Sequence, residues 1–206
     1  MVPSGPSVQS EAFGTRWPIV RGSVDRELVV RAQAGDEVAF AAIIGAAHGR
    51  FKQIAYRILR DAYLAEDAMQ QAMVEMWRKL PTLRDPERFD GWSYRFLVNA
   101  CYREAKRYKE SYRQLPGVVD TSCPDGSGTV NDRDQLERAF KRLSVDHRAV
   151  VVMHYYLDLT IEDTAEALGI SAGTVKSRLN RAMAKLRLAL EADAPLTKQH
   201  ERERPA

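Results

Sequence analysis

Cysteine is scarce: only Cys101 and Cys123 occur, in unlike surroundings. A disulfide framework or a thiolate metal site needs more ligands at closer spacing, so both read as ordinary thiols in a reducing cytoplasm. The four histidines, His48, His147, His154 and His200, show no metal-ligand spacing, so neither a metal nor a cofactor is expected. No run of roughly 18 apolar residues offers a membrane span, and no membrane partner is expected. Residues 1–22 are rich in Pro, Ser and Gly and lack the apolar centre of a secretory signal, so they read as a disordered leader. Strand alternation is missing throughout. A strong excess of one charge is missing too, since 31 Lys and Arg against 28 Asp and Glu leave only +3.

What is present is helical periodicity in two blocks. Leu28, Val29 and Ala32 make a first apolar face, which Gly35 and Asp36 interrupt. Phe40, Ile43, Ile44, Ala47, Phe51, Ile54, Ala55, Ile58 and Leu59 continue at helical spacing. A third helix over about 63–80 has Ala65, Ala68, Met69, Ala72, Met73, Met76, Trp77 and Leu80 as its inward face. Residues 81–91, with two prolines and a glycine, predict a loop. A fourth helix over about 92–112 turns Trp92, Phe96, Leu97 and Ala100 inward. Pro, Gly, Ser, Thr and Asp then dominate residues 115–131, the composition of a flexible linker. Four more helices follow, over about 132–143, 145–156, 161–168 and 172–190, and residues 193–206 read as a polar tail. The expected fold is all-α: two small helical domains, 23–114 and 132–192, on a tether.

Basic residues concentrate at 95–113 and 176–187, which suggests an anionic partner met in two places. The second place carries the sharper motif. Ile161-Glu-Asp-Thr-Ala-Glu-Ala-Leu-Gly-Ile-Ser-Ala-Gly-Thr-Val-Lys-Ser-Arg178 has helix-turn-helix spacing. Ala165 is small where the second helix crosses, Gly169 suits a left-handed turn, and Ser171 can cap the second helix. Ile161, Leu168, Ile170, Val175 and Leu179 would share a small core. Thr174, Lys176, Ser177, Arg178, Asn180, Arg181 and Lys185 then point outward, a set suited to base edges and phosphates in a major groove. A helical bundle with a solvated basic face is the plainer reading of the same pattern.

The first basic helix interleaves aromatics and cations: Trp92, Tyr94, Arg95, Asn99, Tyr102, Arg103, Lys106 and Arg107 among them. Such a helix can neutralise phosphates and stack on unpaired bases. Equally, Trp92 and Phe96 read as core and the cations as a wet face. The acidic residues Glu66, Asp67 and Glu75 make no metal site, because neighbours on a helix point apart and Glu75 lies two turns on. Neither enzymatic activity nor a small-molecule substrate is expected.

Taken in order, Leu28-Val-Val-Arg-Ala-Gln-Ala-Gly-Asp-Glu-Val-Ala-Phe40, Ala65-Glu-Asp-Ala-Met-Gln-Gln71, Met76-Trp77 and Phe89-Asp-Gly-Trp-Ser-Tyr-Arg-Phe-Leu-Val-Asn99 resemble the second conserved region of extracytoplasmic-function sigma factors. Leu143-Ser-Val-Asp-His-Arg-Ala-Val150 and the helix-turn-helix resemble their fourth region. The resemblance covers roughly 25–190 and implies an alternative sigma factor whose partners are core RNA polymerase, promoter DNA and an anti-sigma factor. It further implies that Asp67, Gln70, Gln71 and Glu75 dock on the polymerase clamp, although the family often has Glu where Gln71 stands. Phe89, Trp92, Arg95, Asn99, Arg103, Lys106 and Arg107 would meet the minus-ten element. Thr174, Lys176, Ser177, Arg178, Asn180, Arg181 and Lys185 would meet the minus-thirty-five element. Two other readings use the same helix-turn-helix: a one-component regulator, which leaves the first domain idle, and a sigma mimic, which has no need of Lys176, Asn180 and Arg181.

Overall fold

The computed structural model describes residues 24–113 and 132–202. The expected leader at 1–22, the linker at 115–131, Cys123 and the last four residues lie outside that range. Every regular element described is helical. Helix α1 (Arg26–Gln33) is followed by α2 (Glu37–Leu59), α3 (Ala62–Lys79) and α4 (Phe89–Arg113). The second unit comprises α5 (Asp132–Lys141), α6 (Val145–Val151), a π-helical turn (Val152–Tyr156), α7 (Ile161–Leu168) and α8 (Ala172–Arg202).

Local chemistry sets most boundaries. Side chains of Asp25, Asp36 and Asp61 accept backbone N–H groups at the starts of α1, α2 and α3, with Ala39 at 2.9 Å from Asp36 and Leu64 at 2.9 Å from Asp61. Ser144 and Thr160 do the same for α6 and α7. Gly35, at φ +94, turns the chain between α1 and α2. The expected loop at 81–91 holds two single 3₁₀ turns, and α4 begins at Phe89, earlier than Trp92. Asp85 and Pro86 start the second of these turns, whose end runs straight into the helix. The last helix also outruns its expectation: it continues past Leu190 to Arg202 instead of giving way to a polar tail at 193. Glu191, Ala192 and Ala194 are good helix formers that carry the helix as far as Pro195, which it passes at the loss of one backbone donor.

The predicted inward faces are mostly buried, as Ile43, Phe51, Ile54, Ile58, Ala68, Met69, Met76 and Leu97 illustrate. Met73 and Trp77 stay half-exposed. A small satellite core joins Val29, Ile43, Leu80 and Phe89, and the Gln33 amide pins the loop beside it by donating to the carbonyls of Leu80 (3.2 Å) and Leu83 (2.6 Å).

The largest departure from the tethered expectation concerns the two units. One apolar cluster runs from Phe51, Ile58 and Val98 of the first unit into Ala149, Val150, Ala165 and Leu168 of the second. Helix α7 packs along α4, and α6 meets α2. A periodicity argument identifies apolar stripes but not which stripe faces another domain, so this docking was invisible in the sequence.

Candidate nucleic-acid interface

The helix-turn-helix is built as its spacing predicts. Thr160 caps α7, and Gly169 ends it in the left-handed region at φ 66. There the Ile170 N–H donates to the Ala165 carbonyl at 3.0 Å, closing the turn. Ser171 accepts the Thr174 N–H at 3.1 Å and starts α8. Val175, Leu179, Ala182 and Leu186 then bury one stripe of α8. The opposite side exposes Lys176, Asn180, Arg181 and Lys185.

The other three expected contacts are less available. The Thr174 hydroxyl lies 2.9 Å from that of Ser171, and Ser177 donates to the Thr174 carbonyl at 3.0 Å. Arg178 is drawn sideways into an ion pair with Asp146 at 3.0 Å, where it also lies beside the Tyr102 hydroxyl of α4. Burial and Asp146 push that hydroxyl up to about 12, against the pull of Arg178. His147 sits near the same cations. Burial first, then Lys185, holds its imidazole below the ordinary histidine value, so it adds little charge at neutral pH.

On α4, a cleft of about 340 Å³ is lined by Trp92, Arg95, Phe96 and Asn99, with Glu75, Lys79 and Thr82 on its other side. The Trp92 and Phe96 rings stand 4.5 Å apart, so the cleft has an aromatic wall, while Arg95 and Asn99 are exposed at its rim. Lys79 and Thr82 belong to this cleft but were missed by sequence reasoning. Nothing in their local pattern marks them, because they reach the cleft only through the packing of α3 on α4.

Phe89 needs correction. At 1% exposure it fills the satellite core and is not available to a base. As the first residue of a helix that was expected to begin later, it looked like part of an exposed loop. Arg103 and Arg107 also differ from expectation. Arg103 pairs with Glu75 at 2.8 Å, and Arg107 pairs with Glu104 at 2.5 Å and Asp67 at 3.3 Å. Lys106 faces Glu110 at 3.8 Å. Much of the strand-facing charge predicted for α4 is therefore already engaged by carboxylates.

The outer face of α3 is a composite. Asp67 and Gln70 are exposed as expected, but Gln71 turns inward and donates its amide to Glu104. Glu104 is a carboxylate only 1% exposed, so a glutamate at 71 would have met it charge to charge, and the amide satisfies it instead. Two apolar residues missed by the sequence reading share the exposed face. Tyr63 (86% exposed) and Val74 (50% exposed) fall in register with Asp67 and Gln70 at helical spacing. Their signal was present: both interrupt an otherwise polar stripe. Among the described residues, no group of three or more His, Cys, Asp or Glu is placed to hold a metal ion, and no helix is long and apolar enough to cross a membrane.

Comparison with known proteins follows the same division. Residues 43–110 match the family described as Sigma-70 region 2, and residues 133–186 match Sigma-70, region 4. The chain is 34% identical over 162 residues to the ECF RNA polymerase sigma factor SigM of Mycobacterium tuberculosis, covering 79% of this chain and 82% of that one. It is 36% identical over 158 residues to the RNA polymerase sigma-E factor of Streptomyces avermitilis, covering 74% and 87%. Among solved structures, RpoE of Bartonella quintana, in complex with the anti-sigma factor NepR, aligns with a TM-score of 0.61 at 22% identity, over 75% of this chain and 98% of that one. CnrH, in complex with the cytosolic domain of CnrY, aligns with a TM-score of 0.57 at 24% identity, over 82% and 99%. At these identities the structural likeness concerns the fold.

Proposed function

This chain belongs to the extracytoplasmic-function RNA polymerase sigma factors, and from that premise we propose a division of labour among its helices. It is an alternative sigma factor that binds core RNA polymerase and promoter DNA to initiate transcription. In our reading, residues 23–114 form the unit for core polymerase and the minus-ten element, and residues 132–192 the unit for the minus-thirty-five element. On α8, Lys176, Asn180, Arg181 and Lys185 carry the duplex contact, with Thr174, Ser177 and Arg178 beside them. On α4, Trp92, Arg95 and Asn99 receive the opened strand, and Arg103, Lys106 and Arg107 follow its backbone. Asp67 and Gln70 meet the polymerase, with Glu75 at the edge of that face and Gln71 supporting it from within.

The observation that carries this reading is the pairing, on one chain, of a basic helix-turn-helix with an aromatic-walled cleft on a second basic helix. A duplex-reading helix needs no such cleft. An unstacked base does, because stacking on an aromatic contributes roughly 1–3 kcal/mol and offsets the few kcal/mol of leaving the duplex. Two modest contacts on one chain, both brought to the DNA by the same polymerase, reinforce each other through effective concentration.

Sigma factors are non-catalytic initiation factors, and we read this chain as having no enzymatic activity and acting in the cytoplasm. We also assign it an anti-sigma partner. The support is the shared fold with RpoE, which was solved bound to the anti-sigma factor NepR.

Run-off transcription with purified core polymerase on sheared genomic DNA of the host tests the reading. New 5′ ends sharing two upstream motifs are expected when the protein is added. Silence without any binding to core polymerase would refute it and leave a plain duplex-binding regulator.

A further inference from the structure

The cleft on α4 has a second wall that base capture alone does not explain. Trp92 and Phe96 give it a stacking face, and stacking takes any of the four bases, so that face captures without choosing. The opposite wall comes from the end of α3 and the turn after it, through Glu75, Lys79 and Thr82. A carboxylate is an unexpected lining for a cleft that receives a polyanion, because it repels phosphate unless its charge is offset.

Here the charge is offset. Arg103, one turn beyond Asn99 on α4, brings Nη2 to 2.8 Å from Glu75 Oε1. The pair is neutral as a whole. A carboxylate has about four acceptor sites, so one contact leaves most of them open to a ligand. Both side chains stay partly exposed, which makes the pair a weak source of stability and keeps it reachable. Thr82 adds to the pattern. Its hydroxyl donates to the Lys79 carbonyl at 2.7 Å, so its proton is committed and its oxygen retains acceptor capacity alone. The α3 wall thus carries two acceptors beside the Lys79 ammonium, and the α4 rim adds the donors of Arg95 and Asn99.

The four bases meet such a wall unequally. Cytosine, adenine and guanine each bear an exocyclic amine, whose two hydrogens suit two acceptors. Thymine bears none. Its one edge N–H lies between two carbonyl oxygens, so a carboxylate that accepts from it is set against two more lone-pair-bearing atoms. Lys79 donates to a thymine carbonyl, but it serves cytosine and guanine equally, so the ranking falls to Glu75. Discrimination comes from the acceptor that the wrong base leaves unpaired in the closed cleft.

We propose that Glu75 is a specificity-determining residue of the cleft: positioned by Arg103 and joined by Thr82, it admits an unstacked base bearing an exocyclic amine and rejects thymine. The proposal rests on the assignment of this cleft to an unstacked base of the minus-ten strand. It gives Glu75 a task on the DNA side of its helix and gives Arg103 a positioning role besides its place along the strand.

The test uses holoenzyme reconstituted from the full chain and core polymerase, with fork-junction probes of the promoter recovered by run-off transcription. Each position of the unpaired minus-ten strand carries each of the four bases in turn, and affinity is read by competition in fluorescence anisotropy. At one position thymine should bind about tenfold more weakly than the amine-bearing bases. Glu75→Gln should shrink that preference to under about threefold, because an amide donates to a thymine carbonyl as readily as it accepts from an amine. Arg103→Met should share the loss of preference, whereas a residue that only touches phosphate would weaken all four probes alike. A preference that survives Glu75→Gln, or the lack of any position that disfavours thymine, would overturn the proposal. So would weaker core binding by Glu75→Gln with base preference intact, which would return the residue to the polymerase face. Asn99→Ala separates the two levels. If it weakens capture while Glu75→Gln leaves the preference intact, the cleft takes a base and only its selection by Glu75 fails. If neither variant alters any probe, the assignment of the cleft is wrong and the proposal falls with it.

Discussion

Gly169→Ala isolates the backbone at the turn of the helix-turn-helix. The residue sits at φ 66, and a Cβ added there meets no atom within 4 Å, so no steric clash complicates the substitution. The remaining cost is that of placing an L side chain in the left-handed region, about 1–2 kcal/mol. For a chain of this size each kcal/mol shifts Tm by about 2–4 °C, so a fall of roughly 2–8 °C is expected. Gly49→Ala is the matched control. It lies inside α2, with no positive φ and likewise nothing within 4 Å of an added Cβ. There alanine should stabilise by roughly 0.5–1 kcal/mol, because glycine gives up more conformational freedom in a helix. Thermal melts followed by circular dichroism at 222 nm decide the matter, with run-off transcription at 25 °C expected to stay near the parent level for both. Shifts of the same sign in the two variants would refute the reasoning, since open space is common to both sites and only the backbone conformation differs.

Phe89→Ala should cost about 3–5 kcal/mol, read as a lower urea midpoint, because it empties part of the satellite core. Asn99→Ala, at an exposed position, should leave stability within about 0.5 kcal/mol and instead reduce permanganate-detected promoter opening. Lys185→Ala should weaken binding to minus-thirty-five duplexes of any sequence and lower the slope of log affinity against log salt by about 1, measured by fluorescence anisotropy. Burial pushes the Cys101 thiol up to about 12, so it should resist N-ethylmaleimide at pH 8 in the folded chain and react once denatured, as read by mass spectrometry. The folded thiol keeps its proton where an unfolded one, near 9, releases it, so this group's contribution to stability is complete below pH 9 and is lost as pH rises from there toward 12.

The sites were legible to different depths. The helix-turn-helix was readable almost atom by atom: the Gly169 turn, the Ser171 cap and the buried Val175 and Leu179 all came from spacing and side-chain type. The α4 cleft was readable through Trp92, Arg95 and Asn99 but not through Lys79 and Thr82, which belong to a different element. Phe89 was misassigned because an aromatic next to a proline-containing loop has the same local signature whether it faces a ligand or a core. Gln71, Arg103, Arg107 and Arg178 were each expected to meet a partner molecule, and each is engaged by another part of the same chain.

Whatever depends on neighbours within one helical turn was determined by the sequence itself: which segments coil, where caps and a left-handed glycine end them, and which stripe of each helix is apolar. Those effects act over three or four residues, and residue types report them directly. Only the tertiary structure decided what lies opposite each polar side chain. Gln71 meets Glu104 across 33 residues, Arg148 meets Ile58 across 90, and Tyr156 meets Gln53 across 103. A hydrogen bond or ion pair forms only within about 3–4 Å, so its partner is set by the global packing that brings distant surfaces together. The same reasoning covers the docking of the second unit on the first. Periodicity supplied the apolar stripes, and the fold chose to close them on one another.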